Sequence, residues 1–128
     1  MPSEQSSPIG HPSRPVVLLV EDEALIRYDA AEGLREAGWE VLEAGSGERA
    51  LELLAGGARI DAVLTDINLS GQLTGWDVAE VSRASYPEIP VVYVSGKSVE
   101  KARTVPGSIF LSKPFQAAEV IAAFHALR

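Results

Sequence analysis

The sequence predicts an α/β protein in which a five-stranded parallel sheet is covered by helices on both faces. Short aliphatic and β-branched runs alternate along the chain with longer segments whose apolar residues recur every three or four positions. Several of the strand-like runs are continuously apolar, which is typical of strands buried on both faces. Strands that alternate with helices form parallel sheets, because a right-handed crossover returns each strand beside its parallel neighbour.

The strand-like segments are short and end at polar or turn-forming residues. The second of them is more polar than the others, and we therefore expect it at an edge of the sheet. The predicted strands are residues 16–20, 40–43, 62–65, 91–94 and 109–111.

Five helices are expected, one after each strand. The first has an apolar stripe and stops at Gly38, and the second begins at the cap Ser46 and stops at Gly56. The third is predicted over residues 75–85. The fourth is short and weakly patterned, over residues 99–104. The last carries apolar residues spaced three or four apart from residue 117 to residue 127.

Composition predicts one domain with an N-terminal leader. The chain has 128 residues, of which 46% are hydrophobic and 23% are charged, as in an ordinary soluble domain. Residues 1–15 contain four prolines and four serines and are expected to be disordered. Residues 16–128 are expected to form the folded domain, which leaves no residues for an output domain.

Charge and residue usage exclude several classes of function. The net charge is −7 and no basic cluster is present, which disfavours a nucleic-acid binder. No apolar run is long enough to span a membrane, and the N-terminus lacks a secretory signal. Cysteine is absent, so thiolate metal sites and disulfides are excluded. These features favour a cytoplasmic protein.

Polar residues follow four of the five predicted strands. In open α/β sheets ligands bind beyond the carboxyl ends of the strands, so these residues are the candidates for a site. Each group alone is explained as well by a helix cap or a turn, and only their joint placement at one end of one sheet favours a site. They are Glu21, Asp22 and Glu23 after the first strand, Asp66 and Asn68 after the third, Ser95 and Gly96 after the fourth, and Ser112, Lys113 and Pro114 after the fifth.

The chemistry of this set points to phosphoryl transfer. Clustered carboxylates repel one another unless a cation lies among them, and Mg²⁺ fits a site with oxygen ligands that also receives a phosphate. An aspartate such as Asp66 is a competent nucleophile towards phosphorus. Lys113 and the hydroxyl of Ser95 can bind the phosphoryl oxygens.

These residues resemble the response regulator receiver family over about residues 15–128. The matching segments are Val-Glu-Asp-Glu at 20–23, Leu-Thr-Asp-Ile-Asn-Leu at 64–69, Val-Ser-Gly at 94–96 and Leu-Ser-Lys-Pro-Phe at 111–115. The resemblance implies a flavodoxin-like, doubly wound three-layer fold with strand order 2-1-3-4-5. It also implies a phosphoacceptor of two-component signalling that is not itself an enzyme, and because no residues remain for an output domain we expect this receiver to stand alone.

The resemblance assigns a role to each matching position. It implies a cis bond between Lys113 and Pro114, a conserved lysine at Lys113 and a switch hydroxyl at Ser95. It implies that Asp66 accepts the phosphoryl group. It implies that Asp22, Asp66 and the backbone carbonyl of Asn68 bind Mg²⁺ directly and that Glu21 reaches the metal through water. It further implies that Phe110 is the switch aromatic and that Asn68 and Lys97 tune dephosphorylation.

The sequence departs from the family in three places. The loop over residues 68–75 lacks the usual proline and is about one residue longer, and the interval from Ser95 to Lys113 is about one helical turn short. Phe110 has no hydroxyl. The first two departures bear on the fourth helix and its signalling face.

The implied partners are a sensor histidine kinase or histidine phosphotransfer protein and a further protein downstream. Two alternatives stay open. One is an inactive receiver-like module that binds a partner without phosphate. The other is a phosphatase with an aspartate nucleophile, although such enzymes need an acid where Asn68 stands and a substrate cap. A nucleotide-binding protein is disfavoured, because no glycine-rich phosphate loop follows the first strand.

Overall fold

The computed structural model describes residues 14–96 and 103–127. Strands and helices alternate along the chain until β4, which is followed by β5 in the described residues. In chain order the elements are β1 (Val16–Val20), α1 (Ala24–Glu36), β2 (Glu40–Ala44), α2 (Gly47–Ala55), β3 (Ala62–Asp66), α3 (Gly75–Ser85), β4 (Val91–Ser95), β5 (Ile109–Ser112) and α4 (Ala117–Ala126).

The five strands form one parallel sheet in the order β2-β1-β3-β4-β5. This confirms the flavodoxin-like order implied by the family resemblance. All residues of β1, β3 and β4 are buried, as their continuous apolar runs predict. β2 lies at an edge and is more exposed than β1, β3 and β4, as its polar composition predicts.

Two apolar cores lie on opposite faces of the sheet and give the fold its three layers. Side chains alternate between the faces of a strand, so Leu18 faces one core and Val17 the other. Helices α2 and α3 pack on the core that contains Leu18, and α1 and α4 on the core that contains Val17. In the second core the rings of Trp39 and Phe124 lie 5.3 Å apart. Both faces are therefore covered by pairs of helices.

Local sequence signals fix the ends of several helices. The Ser46 hydroxyl accepts a hydrogen bond from the backbone N–H of Arg49, which confirms the predicted cap of α2. Thr74 and Asp77 form a reciprocal capping box at the start of α3. Gly38 has φ of 98°, a conformation that glycine adopts without a Cβ penalty, and it ends the turn after α1.

Four of the five predicted helices are present in the described residues. The fourth predicted helix, residues 99–104, falls mostly on residues 97–102, which lie outside the described part of the chain, and Arg103 and Thr104 are not helical. Residues 1–13 of the expected leader also lie outside it. None of the described helices combines the length and apolar character needed to cross a membrane.

The segment that enters β5 is tied to α3 and β4. The backbone N–H of Val105 donates to the Tyr93 hydroxyl at 3.0 Å, and Arg83 donates to the backbone carbonyl of Pro106. Arg103 pairs with Asp77 at 3.1 Å and with Glu80 at 2.8 Å. These contacts hold the segment that precedes β5 against α3 and against Tyr93 of β4.

Candidate functional site

Three acidic side chains converge beyond the carboxyl ends of β1 and β3. Glu21 and Asp22 follow the last residue of β1, and Asp66 is the last residue of β3. One carboxylate oxygen from each lies within 4.8 Å of the others. Parallel strands end at the same edge of a sheet, which is why residues far apart in sequence meet here.

Lys113 bridges two of these carboxylates. Its Nζ lies 2.8 Å from Asp66 Oδ2 and 2.8 Å from Glu21 Oε1. Lys113 directly follows β5, and its backbone N–H donates a hydrogen bond to the carbonyl of Ser95 at the end of β4, which holds the lysine at this edge of the sheet. The peptide bond between Lys113 and Pro114 is cis, as the family resemblance implies.

Burial and pairing act in opposite directions on the charges of this site. Glu21 is 2% exposed, and its burial, together with the charge of Asp66, raises the pKa of its carboxyl overall, although the hydrogen bonds from Lys113 and from the Glu23 N–H lower it. Burial alone lowers the pKa of the Lys113 ammonium, but the hydrogen bonds to Asp66 and Glu21 outweigh it and raise that pKa overall. Lys113 therefore stays a cation at neutral pH.

Asp66 is held by the loop that follows it. Its Oδ1 accepts a hydrogen bond from the N–H of Asn68 at 3.2 Å, and its Oδ2 contacts Lys113. The loop closes where the N–H of Gly75 donates to the carbonyl of Ile67 at 2.9 Å. A Cβ at position 75 would lie 2.1 Å from the Asp66 carbonyl oxygen, so only glycine fits there.

The same loop contacts acids on two neighbouring elements. The N–H of Ser70 donates to Asp22 Oδ2 at 3.0 Å, and the N–H of Gln72 donates to Glu48 Oε2, on α2, at 3.2 Å. Gly71 between them has φ of 96°. Asp22 thus joins the loop to the acidic cluster.

The structure places the remaining predicted residues around this crevice. Ser95 is buried at the end of β4, and Phe110 is half-buried on β5, where it pairs in register with Tyr93. Asn68 is exposed in the loop after β3. Lys97 lies outside the described residues. Direct contacts link Glu21, Asp66, Lys113 and Asn68, and a carboxylate oxygen of Asp22 lies within 4.8 Å of those of Glu21 and Asp66.

Four residues of this region were not singled out from the sequence for the contacts they make. Gly75 is needed for close approach to Asp66, Glu48 holds the loop, Tyr93 anchors Val105, and Arg27 binds the carbonyl of Glu21 at 2.8 Å. Only Gly75 carries a local signal, because it follows the capping threonine of a helix. The other three act on partners that are distant in sequence.

This arrangement has the charge and donor types of a magnesium and phosphate site. Glu21, Asp22 and Asp66 offer only oxygen ligands, and Lys113 carries the opposite charge beside them. Mg²⁺ prefers a few carboxylates together with water and phosphate oxygens. The donors present therefore fit Mg²⁺, and the cluster leaves a negative charge for a divalent cation to offset.

Comparisons with known proteins agree with this geometry. Residues 17–125 match the family profile described as response regulator receiver domain. The transcriptional regulatory protein PdtaR of Mycobacterium tuberculosis is 41% identical over 112 residues, which cover 84% of this chain and 53% of PdtaR. The chain thus spans about half the length of this curated relative.

Solved receiver structures share both fold and sequence with the chain. A response regulator receiver protein from Sinorhizobium medicae WSM419 is 42% identical, with a TM-score of 0.85 over 89% of this chain and 94% of that one. The chemotaxis response regulator CheY4 of Vibrio cholerae is 26% identical, with a TM-score of 0.75 over 91% of this chain and 100% of that one.

Proposed function

This chain belongs to the response regulator receiver family, and on that premise we propose that it accepts a phosphoryl group on Asp66. The family is a signalling phosphoacceptor domain rather than an enzyme class. The observation that carries the proposal is the bridge of Lys113, whose Nζ lies 2.8 Å from Asp66 and from Glu21 beside Asp22. A nucleophile, a cation and a group of metal-ligating acids stand together.

The proposed cofactor is Mg²⁺. Asp22, Asp66 and the backbone carbonyl of Asn68 are its proposed ligands, and Glu21 is proposed to act through water. Both carboxylate oxygens of Glu21 already have partners, the Lys113 ammonium and the Glu23 N–H, which supports an indirect role. When bound, Mg²⁺ supplies positive charge to the phosphoryl oxygens.

The proposed reaction is an in-line transfer from a phosphohistidine. An Asp66 carboxylate oxygen attacks phosphorus, the P–N bond to the donor imidazole breaks, and the electron pair stays on that nitrogen, which takes up a proton from solvent. The product is an acyl phosphate on Asp66 and a free histidine on the donor. The Lys113 ammonium, whose pKa is raised further by its hydrogen bonds to Asp66 and Glu21, and the Ser95 hydroxyl bind the phosphoryl oxygens.

The phosphorylated state requires an output. Movement of Ser95 towards the phosphoryl group is proposed to let Phe110 turn inward. Complete burial of an exposed aromatic contributes about 1.5–3 kcal/mol, and because Phe110 is already half-buried its inward turn would contribute only about half of this, which still shifts a two-state equilibrium several-fold. The output is proposed to be either this conformational switch, which a further protein recognises, or transfer of the phosphoryl group to a further protein. Asn68 and Lys97 are proposed to set the lifetime of the acyl phosphate.

The proposed donors are a sensor histidine kinase or a histidine phosphotransfer protein, and the proposed location is the cytoplasm. Neither nucleic acid nor a membrane is a proposed partner of residues 16–128.

The test is intact-mass measurement after incubation with acetyl phosphate and Mg²⁺. We expect one phosphoryl adduct on the wild type and on Asp29→Asn, a matched control on the exposed side of α1, and none on Asp66→Asn. Decay of the same adduct in Lys97→Ala reports whether that side chain affects hydrolysis.

Other outcomes identify the two rivals. An adduct that persists on Asp66→Asn would show that the acceptor is a different residue. A wild type that binds Mg²⁺ but forms no adduct would favour the inactive module. Steady release of phosphate from simple phosphate esters would favour a phosphatase.

A further inference from the structure

We propose that Arg27 is a positioning residue that holds the backbone of Glu21 and Asp22 in the geometry that binds Mg²⁺. The inference rests on the proposed function, because it concerns the same acidic cluster. Arg27 is not one of the residues proposed above to bind Mg²⁺ or the phosphoryl group.

Arg27 joins three parts of the molecule. It lies in the first turn of α1, and its Nη1 donates to the backbone carbonyl of Glu21 at 2.8 Å. Its Nε pairs with Glu43 Oε1 of β2 at 3.3 Å, and the side chain is 24% exposed. The guanidinium thus connects the acidic turn after β1 with the neighbouring edge strand.

The carbonyl that Arg27 binds belongs to the peptide plane between Glu21 and Asp22. Because a peptide is planar, fixing this oxygen also fixes the orientation of the Asp22 N–H and the position of the Asp22 Cα, which leaves only rotation about the N–Cα bond of Asp22 to set the direction of its Cβ. The amide on the other side of Glu21 is fixed as well, since it donates to the carbonyl of Ala44 at 3.0 Å. Loss of Arg27 would remove one of these two hydrogen bonds, the one to the Glu21 carbonyl, and leave only the one from the Glu21 N–H.

Gly45 makes room for the guanidinium. A Cβ at position 45 would lie 3.1 Å from Arg27 Nη1, so a larger residue there would require the guanidinium to shift by a few tenths of an ångström from its place on the Glu21 carbonyl. An arginine is also the residue that suits this task, because its planar fork binds two acceptors at fixed angles, whereas lysine offers a point charge. Side chain and backbone are thus fitted to each other.

Charge and positioning predict opposite effects of removing Arg27. A cation near three carboxylates repels Mg²⁺, so loss of its charge alone would tighten metal binding. Loss of positioning weakens it, because partners that orient metal ligands contribute to affinity. The direction of the change therefore separates the two roles, and Arg27→Lys removes the fork while it keeps the charge.

The experiment is a calorimetric titration of the full chain with Mg²⁺. We expect Arg27→Lys and Arg27→Ala each to weaken binding by about tenfold, the lower end of the range for residues that orient metal ligands. The matched control is Arg35→Ala, since Arg35 also pairs with Glu43, at 3.0 Å, but its other described partners are Glu32 and the carbonyl of Val41 rather than the carbonyl of Glu21. This control should change the affinity by less than about twofold, as expected for an exposed ion pair.

A second readout needs no metal. In metal-free protein the amide signals of Glu23 and Ser70, whose N–H groups bind the carboxylates of Glu21 and Asp22, should shift in Arg27→Lys and stay unchanged in Arg35→Ala. Gly45→Ala, which leaves Arg27 in the sequence, should weaken Mg²⁺ binding in the same direction. It serves as the second variant if Arg27→Ala does not fold.

Unchanged or tighter binding in Arg27→Lys and Gly45→Ala would overturn the inference while the wild type still binds Mg²⁺. A wild type that binds no Mg²⁺ would instead overturn the proposed function itself. The two failures are therefore distinguishable in one titration series.

Discussion

Asp22 and Glu21 are adjacent in the chain but stand in different environments. Glu21 is 2% exposed and both of its carboxylate oxygens have partners, whereas Asp22 is half-buried and its Oδ2 accepts the N–H of Ser70. The sequence predicts that both lie at the site, because both follow a buried strand. It does not predict Arg27 as their support, because that role depends on where Glu43 and Gly45 lie in the fold.

These environments predict unequal roles in metal binding. Asp22→Asn should weaken Mg²⁺ binding more than Glu21→Gln, because Asp22 is proposed as a direct ligand and Glu21 is proposed to act through water. For Glu21→Gln we expect a loss of about tenfold, as for residues that orient a metal site. Calorimetric titration measures both, and equal losses would contradict the order. Asp29→Asn serves as the control for loss of an acidic charge on a neighbouring element.

At the scale of elements, the loop between β3 and α3 is the part of the site that the sequence describes least well. The sequence indicates its length and the start of α3 at residue 75. Its path depends on contacts with Asp22 and with Glu48, which is 24 residues away from Gln72 in the chain. The sequence also does not predict the hydrogen bond from the Val105 N–H to the Tyr93 hydroxyl, because a tyrosine in an apolar strand run predicts only burial.

Gly75 is the position at which this loop tolerates least change. Gly75→Ala should destabilise the fold by about 1–3 kcal/mol, as overpacking of a tight site does, because its Cβ would meet the Asp66 carbonyl at 2.1 Å. Chemical denaturation measures the loss.

The control for this substitution is Gly56→Ala at the end of α2. Gly56 has φ of −78°, which alanine adopts, and the nearest atom to its Cβ would be the Glu52 carbonyl oxygen at 3.3 Å. An equal, small effect of both substitutions would contradict the close approach at Gly75. Gly75→Ala should also slow formation of the Asp66 adduct, because the backbone that carries the nucleophile must shift.

At the scale of the whole molecule, most of the architecture follows from the sequence. Continuous apolar runs mark the strands to within one residue, and the more polar second run becomes the edge strand β2. The strand order was supplied by the family resemblance, since periodicity alone does not set it. The order β2-β1-β3-β4-β5 brings the ends of β1, β3, β4 and β5 to one edge, and the candidate site lies there.

The central claim is that Asp66, with Mg²⁺ held beside it, carries the phosphoryl group. The most direct test is a crystal structure of the chain with Mg²⁺ and beryllofluoride, a mimic of the phosphoryl group. We expect beryllium bonded to an Asp66 carboxylate oxygen, Mg²⁺ bound by Asp22 and Asp66, and Lys113 bound to a fluoride. Beryllofluoride on another residue, or Mg²⁺ bound without Asp22 and Asp66, would contradict it.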